Sequence, residues 1–153
     1  MRPGSLNRTV SALFSALSSL SATGTGNVAG GLAAVGSSVS RHGLVVVLSD
    51  LYGDEALLLR AVASIRRVAE VAVVQILAPA EREIPSGFRS LQELEGGTVV
   101  SLDGAALGAY GARIGAWPDR LRSGVRSAGA EWVSADAAEP PVNILTRWLR
   151  RVS

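Results

Sequence analysis

The sequence predicts an α/β fold, a parallel sheet flanked by helices, and three observations carry that expectation. Residues 44–48 (Leu-Val-Val-Val-Leu) form an unbroken aliphatic run with no polar face, which suits a strand covered on both sides. A second such run, residues 71–77, reads as another buried strand. Between the two, Leu57, Leu58, Val62 and Ile65 recur at helical spacing, and alternating strand and helix is the mark of βαβ units.

Taken in order, the chain begins with Leu6, Val10, Leu13, Phe14, Leu17 and Leu20, an apolar stripe with serines between its members. This is an amphipathic helix. The same stretch, with Arg2 and Arg8 before it and Leu20-Ser21-Ala22 after it, has the outline of a signal peptide, but a signal core is apolar all round. After the break Thr23-Gly24-Thr25-Gly26, Asn27 is placed to cap a second helix carrying Val28, Leu32, Val35 and Val39. The strand 44–48 follows and ends in Ser49-Asp50. Asp54-Glu55 opens the next helix, with acids in the first turn to suit its dipole.

Beyond the second strand, residues 79–85 are charged and bounded by prolines, as a loop would be, and residues 88–102 suggest a hairpin turning at Glu95-Gly96-Gly97-Thr98. Leu107, Tyr110, Ile114, Trp117, Leu121 and Val125 define a long amphipathic helix that Pro118 should kink or restart. Residues 131–134 are a third strand. Pro140-Pro141 introduces a terminal helix with Ile144, Leu145, Trp148 and Leu149 expected on its buried side. Residues 1–153 read as a single domain without repeats.

Composition narrows the chemistry. A chain of 153 residues can bury roughly two-thirds of its unfolded surface. With no cysteine there is no disulfide, no zinc–thiolate site and no thiol catalysis, and the lone His42 excludes a multi-histidine metal site. All 15 basic residues are arginine, a usage that fits a GC-rich genome. A net charge of +2 does not argue for nucleic acid, and Arg113, Arg120, Arg122 and Arg126 read as a solvated helix face. No run reaches the 18 or so apolar residues of a membrane span, and a cytoplasmic protein is expected.

Three motifs invite catalytic readings. Gly24-Thr25-Gly26-Asn27-Val28-Ala29 fits the G-x-G-x-x-A dinucleotide fingerprint, and a nucleotide-binding or enzymatic domain using the loop from Gly24 to Ala29 is the alternative reading. That fingerprint needs a strand before it, and none is found. A serine hydrolase would need His42 as base, yet His42 precedes the strand that Ser49 ends, some 20 Å away. Glu81 and Glu83 share a loop with Arg82 and read as solvated.

The series Arg41-x-Gly-Leu-Val-Val-Val-Leu-Ser-Asp50, then Ile76-Leu77-Ala78-Pro79-Ala80-Glu81-Arg82-Glu83-Ile84-Pro85, Glu93-Leu94-Glu95-Gly96-Gly97, Tyr110 and Ala128-Gly129-Ala130-Glu131-Trp132-Val133 is specific in its order. It resembles the carboxyl-terminal half of the von Willebrand factor A-like family known as domain of unknown function 58, whose members are encoded beside MoxR-type AAA+ ATPases. The resemblance implies a partial von Willebrand factor A-like (Rossmann-like) sheet with its first strands missing, and a fragment, a shortened product or a degenerate paralogue. In such domains a divalent cation is held by a D-x-S-x-S motif, a threonine and an aspartate. Asp50 matches the aspartate and Thr25 the threonine, with Thr23 as its alternative. No aspartate here begins D-x-S-x-S, and the family would place that element before Met1. Ala78 stands where the family has aspartate, and Glu93 and Gly96 replace Asp and Thr of its D-x-E-T-G turn.

Magnesium prefers six oxygen ligands, so Asp50 and Thr25 are expected to form a remnant site, insufficient unless the missing element is supplied. No other cofactor is expected. The resemblance implies a non-catalytic protein-interaction role, with a MoxR-type AAA+ ATPase as partner. Without a neighbour for strand 44–48, self-association through an open sheet edge is also expected.

Overall fold

The computed structural model describes residues 3–21, 27–39, 41–82, 90–92, 99–101 and 104–152. Their elements run α1 (Pro3–Ser18), α2 (Val28–Gly36), β1 (Leu44–Ser49), α3 (Glu55–Arg66), β2 (Glu70–Leu77), α4 (Pro79–Arg82), β3 (Ser90–Gln92), β4 (Val99–Ser101), α5 (Gly104–Ser127), β5 (Glu131–Asp136) and α6 (Pro141–Val152). Strands β1, β2 and β5 form one parallel sheet in that order, while β3 and β4 pair antiparallel. This is the predicted α/β architecture, a three-stranded parallel sheet flanked by helices in a partial Rossmann-like arrangement.

The helix starts follow local chemistry. Asn27 accepts a hydrogen bond from the Gly30 N–H at 3.0 Å and caps α2; Asp54 does the same for Leu57 at the start of α3, at 2.9 Å. The sheet divides the core between its two faces. On one face Val45, Val47, Val71, Val73 and Trp132 pack with Leu32 of α2, Leu58, Val62 and Ile65 of α3, and Leu121 and Val125 of α5. Each such side chain contributes about 1.5–3 kcal/mol on burial, so most of the stability resides there. On the other face Val74, Ile76, Val133 and Ala135 meet Ile144 and Trp148 of α6.

Several expectations need correction. Strand β1 is covered on one face only: Leu44, Val46 and Leu48 are 56%, 41% and 66% exposed. The cause is register. These residues align with Glu70, Ala72 and Val74 on the face that α6 covers, but α6 sits over β5 and β2 and does not reach β1. In α6 only Ile144 and Trp148 pack inward, whereas Leu145 and Leu149 are exposed. The amphipathic helix α1 forms as expected, yet Val10, Leu13, Phe14 and Leu17 along its stripe are all exposed. Part of the predicted loop after β2 is the short helix α4, opened by Glu81, whose carboxylate accepts from the Ala78 N–H at 2.6 Å. Helix α5 runs through Pro118 as one element instead of restarting. The expected hairpin is present as β3 and β4; its turn at residues 95–98 lies outside the described residues.

Candidate functional site

The parallel sheet brings three strand ends to one edge, where ligands gather in open α/β folds. At the end of β1 the backbone turns sharply. Leu51 adopts φ 67°, left-handed and uncommon for a residue with a Cβ, and its side chain is buried in the core. Burial of that side chain over-determines the strained backbone and fixes the turn that presents Asp50.

Asp50 is exposed, and its Oδ1 accepts hydrogen bonds from the Tyr52 N–H and the Ser49 hydroxyl, both at 3.2 Å. The Ser49 Oγ in turn accepts from the Leu51 N–H at 3.0 Å. The carboxylate therefore acts first as a local turn-former. Beneath the loop lies Gln75, the one buried polar side chain among the described residues, which donates to the Asp50 carbonyl over a long 3.4 Å. The loop is held from the side by Tyr52, stacked on Trp117 of α5.

Sequence reasoning selected Asp50 but passed over Gln75, Leu51 and the Tyr52–Trp117 pair. Gln75 left a signal, since it is the only polar residue in the run 71–77. The pairing of Tyr52 with Trp117 left none, because the two are far apart in the chain.

Thr25, its alternative Thr23, and Gly24 lie outside the described residues, as do Glu83, Glu93 and Gly96. Of the cation site implied by the resemblance, the described residues supply one carboxylate, with one oxygen already accepting two hydrogen bonds. Among the described residues no group of three or more His, Asp or Glu side chains converges. An octahedral cation needs more oxygen ligands than that one carboxylate supplies, and Thr25, the other expected ligand, lies outside the described residues.

The glycine loop that suggested a nucleotide is preceded by α1, a helix, where the fingerprint needs a strand. Asn27 also occupies the N-terminus of α2 with its own side chain, where a phosphate would sit. His42, also at positive φ (68°), precedes β1, so the structure keeps it at the opposite end of that strand from Ser49.

At the far side of the sheet, Arg147 of α6 grips the turn after β5. Its guanidinium donates to both carboxylate oxygens of Glu139, at 2.7 and 3.1 Å, and to the Ser134 carbonyl at 2.8 Å. The hydrogen bond from Arg147 holds the Glu139 carboxyl below its ordinary range, and the same bond raises Arg147. This clamp ties α6 to β5 and to the turn that follows it.

No helix among the described residues is long and apolar enough to cross a membrane. A family model described as "Protein of unknown function DUF58" matches residues 3–108, from α1 to the first turn of α5. No curated protein matches the chain, and no solved structure does.

Proposed function

The chain belongs to the DUF58 family, and on that premise we propose that it is a non-catalytic protein-interaction module. One observation carries this reading: the uncovered apolar surface formed by Leu44, Val46 and Leu48 on β1, together with the uncovered stripe of α1. Exposed apolar surface of this kind marks sites where another macromolecule docks. The strand adds directional capacity, because among the described residues one edge of β1 has no neighbour in the sheet order.

The finer part of the reading is a role as adaptor or partner of a MoxR-type AAA+ ATPase. Its support is the resemblance, and its physical basis is that an amphipathic helix of a partner fits an apolar groove beside a helix. Titrating the full chain with a purified MoxR-type ATPase tests it. Saturable binding that Leu48→Arg weakens roughly tenfold or more, about 1.4 kcal/mol, supports the assignment. No binding removes the ATPase from the reading. A thermal-shift panel of nucleotides tests the rival: a rise in Tm that Gly26→Val abolishes would replace the interaction role with nucleotide binding through residues 24–29.

A further inference from the structure

We infer that Arg147 guards the outer edge of β5: it holds the middle backbone acceptor of that edge, which a second copy of this chain would need in order to add its own β5 alongside. The device is independent of the interaction role proposed above and of the surfaces that carry it.

Strand β5 is the last in the sheet order among the described residues, so its outer edge is a row of backbone groups with no strand beside it. Which groups form that row follows from the pairing with β2. The Ala137 N–H donates to the Leu77 carbonyl at 3.0 Å, and Leu77 lies opposite Asp136. Ala137 therefore faces β2, and successive residues of a strand present their backbone groups to alternate sides. Glu131, Val133 and Ala135 turn theirs toward β2, whereas Trp132, Ser134 and Asp136 turn theirs outward. Ser134 is the middle of the outward set.

Arg147 sits on that middle position. Its Nη2 donates to the Ser134 carbonyl at 2.8 Å, while the Glu139 carboxylate holds the same guanidinium through Nη1 at 2.7 Å and Nη2 at 3.1 Å. An added strand would run about 4.8 Å away and bring its own N–H nitrogen to about 2.9 Å from that oxygen. The guanidinium nitrogen already stands at that distance. Its bonds to Glu139 are charge-assisted, and so is the one to Ser134, which makes it stronger than the neutral bond an added strand would offer. Pro140 and Pro141, which follow, have no N–H to extend a ladder.

The strand excluded in this way is β5 of a second copy. In an antiparallel pair, residues that face each other share the same bonding side, so an outward residue must meet an outward residue. Through the middle of the edge, two copies of β5 pair about a two-fold axis with Ser134 opposite either Ser134 or Trp132. Both registers draw on the Ser134 carbonyl. Neither sets like charges against each other: Glu131 meets Ala137 in the first and Ala135 in the second, and Asp136 meets Trp132 or Ala130. Side-chain charge on β5 therefore does not forbid the pairing, and Arg147 does.

Arg147→Met removes the donors and keeps a long side chain. Hydrogen exchange at a low and a high protein concentration then reads the edge residue by residue. In Arg147→Met the amides of Trp132 and Ser134 should exchange about tenfold more slowly at the higher concentration, with a matching rise in mass by light scattering. The amides of Val133 and Ala135, turned toward β2, should not change. A variant that is merely less stable would lose protection in both sets at every concentration, and that result overturns the proposal. Exchange independent of concentration overturns it too, as does association that leaves Trp132 and Ser134 unprotected, or a wild type that already shows the slowing. If circular dichroism shows Arg147→Met to be unfolded, Arg147→Lys takes its place. A single ammonium lacks the fork that grips Glu139 and Ser134 together, so the same slowing is expected, and its absence counts against the guard. Because the readout is confined to β5, failure here leaves the interaction reading at β1 and α1 standing.

Discussion

Tyr52 stacks on Trp117 with ring centroids 5.0 Å apart and planes 8° from parallel, tying the loop after β1 to α5. The contact joins the exposed end of the candidate site to the packed side of the sheet, since Trp117 also lies against the main core. It tethers the Asp50 loop to α5.

Removing that stack should therefore loosen the loop before it unfolds the domain. Tyr52→Ala is expected to cost about 0.5–1.5 kcal/mol beyond lost burial, and Tyr52→Phe much less, because the ring carries the contact. Urea denaturation reads the energies. Hydrogen exchange at residues 51–54 reads the loop, and equal protection in wild type and Tyr52→Ala would show that the stack does not hold it.

Leu51 sets two effects against each other. Its φ of 67° costs about 1–2 kcal/mol relative to glycine, while its buried side chain is worth about 2–5 kcal/mol against alanine. Packing wins, so both Leu51→Ala and Leu51→Gly should destabilise. Glycine, usually the worse choice, should here be no worse than alanine because it relieves the strain. A glycine variant clearly less stable than the alanine variant would contradict this ordering.

At Asp50 the expected outcome concerns metal. With one carboxylate of the implied site and no converging group of three acids among the described residues, the chain alone should bind Mg²⁺ or Mn²⁺ no more tightly than about millimolar. Calorimetric titration checks this. Micromolar binding that persists in Asp50→Ala would place the cation elsewhere. Asp50→Ala should also cost about 1 kcal/mol through the two hydrogen bonds lost from the turn.

The Arg147–Glu139 clamp gives a pH dependence of known sign. The folded-state value of Glu139 lies below its ordinary 4.5. Its contribution is therefore complete above that ordinary value and is lost as pH falls below it, through the lowered one. Arg147 is shifted upward and stays charged throughout this window. Denaturation midpoints followed downward from neutral pH should fall more steeply in wild type than in Glu139→Gln, and α6 should lose exchange protection first. Parallel profiles for the two proteins would count against the clamp.

Much of this architecture was legible in the sequence because its signals are local. The runs 44–48 and 71–77 are long and aliphatic enough to demand strands. Asn27 and Asp54 cap helices through bonds spanning three residues, and Asp50 stands where a strand must end. Such features depend on backbone propensity and short-range hydrogen bonds, so neighbouring residues suffice to specify them.

Coverage was decided by the tertiary structure alone. An apolar strand such as β1 looks the same in sequence whether one or both faces are packed; which it is depends on where α6 lands, with Ile144 and Trp148 packed on β2 and β5 and Arg147 bonded to Glu139 and Ser134. The pairing of Tyr52 with Trp117 and the alignment of Gln75 beneath Asp50 likewise arise from parallel register and helix placement. Hydrophobic burial is proportional to area and has no direction, so the sequence alone determined which residues are apolar, while the packed elements decided which of them remain uncovered.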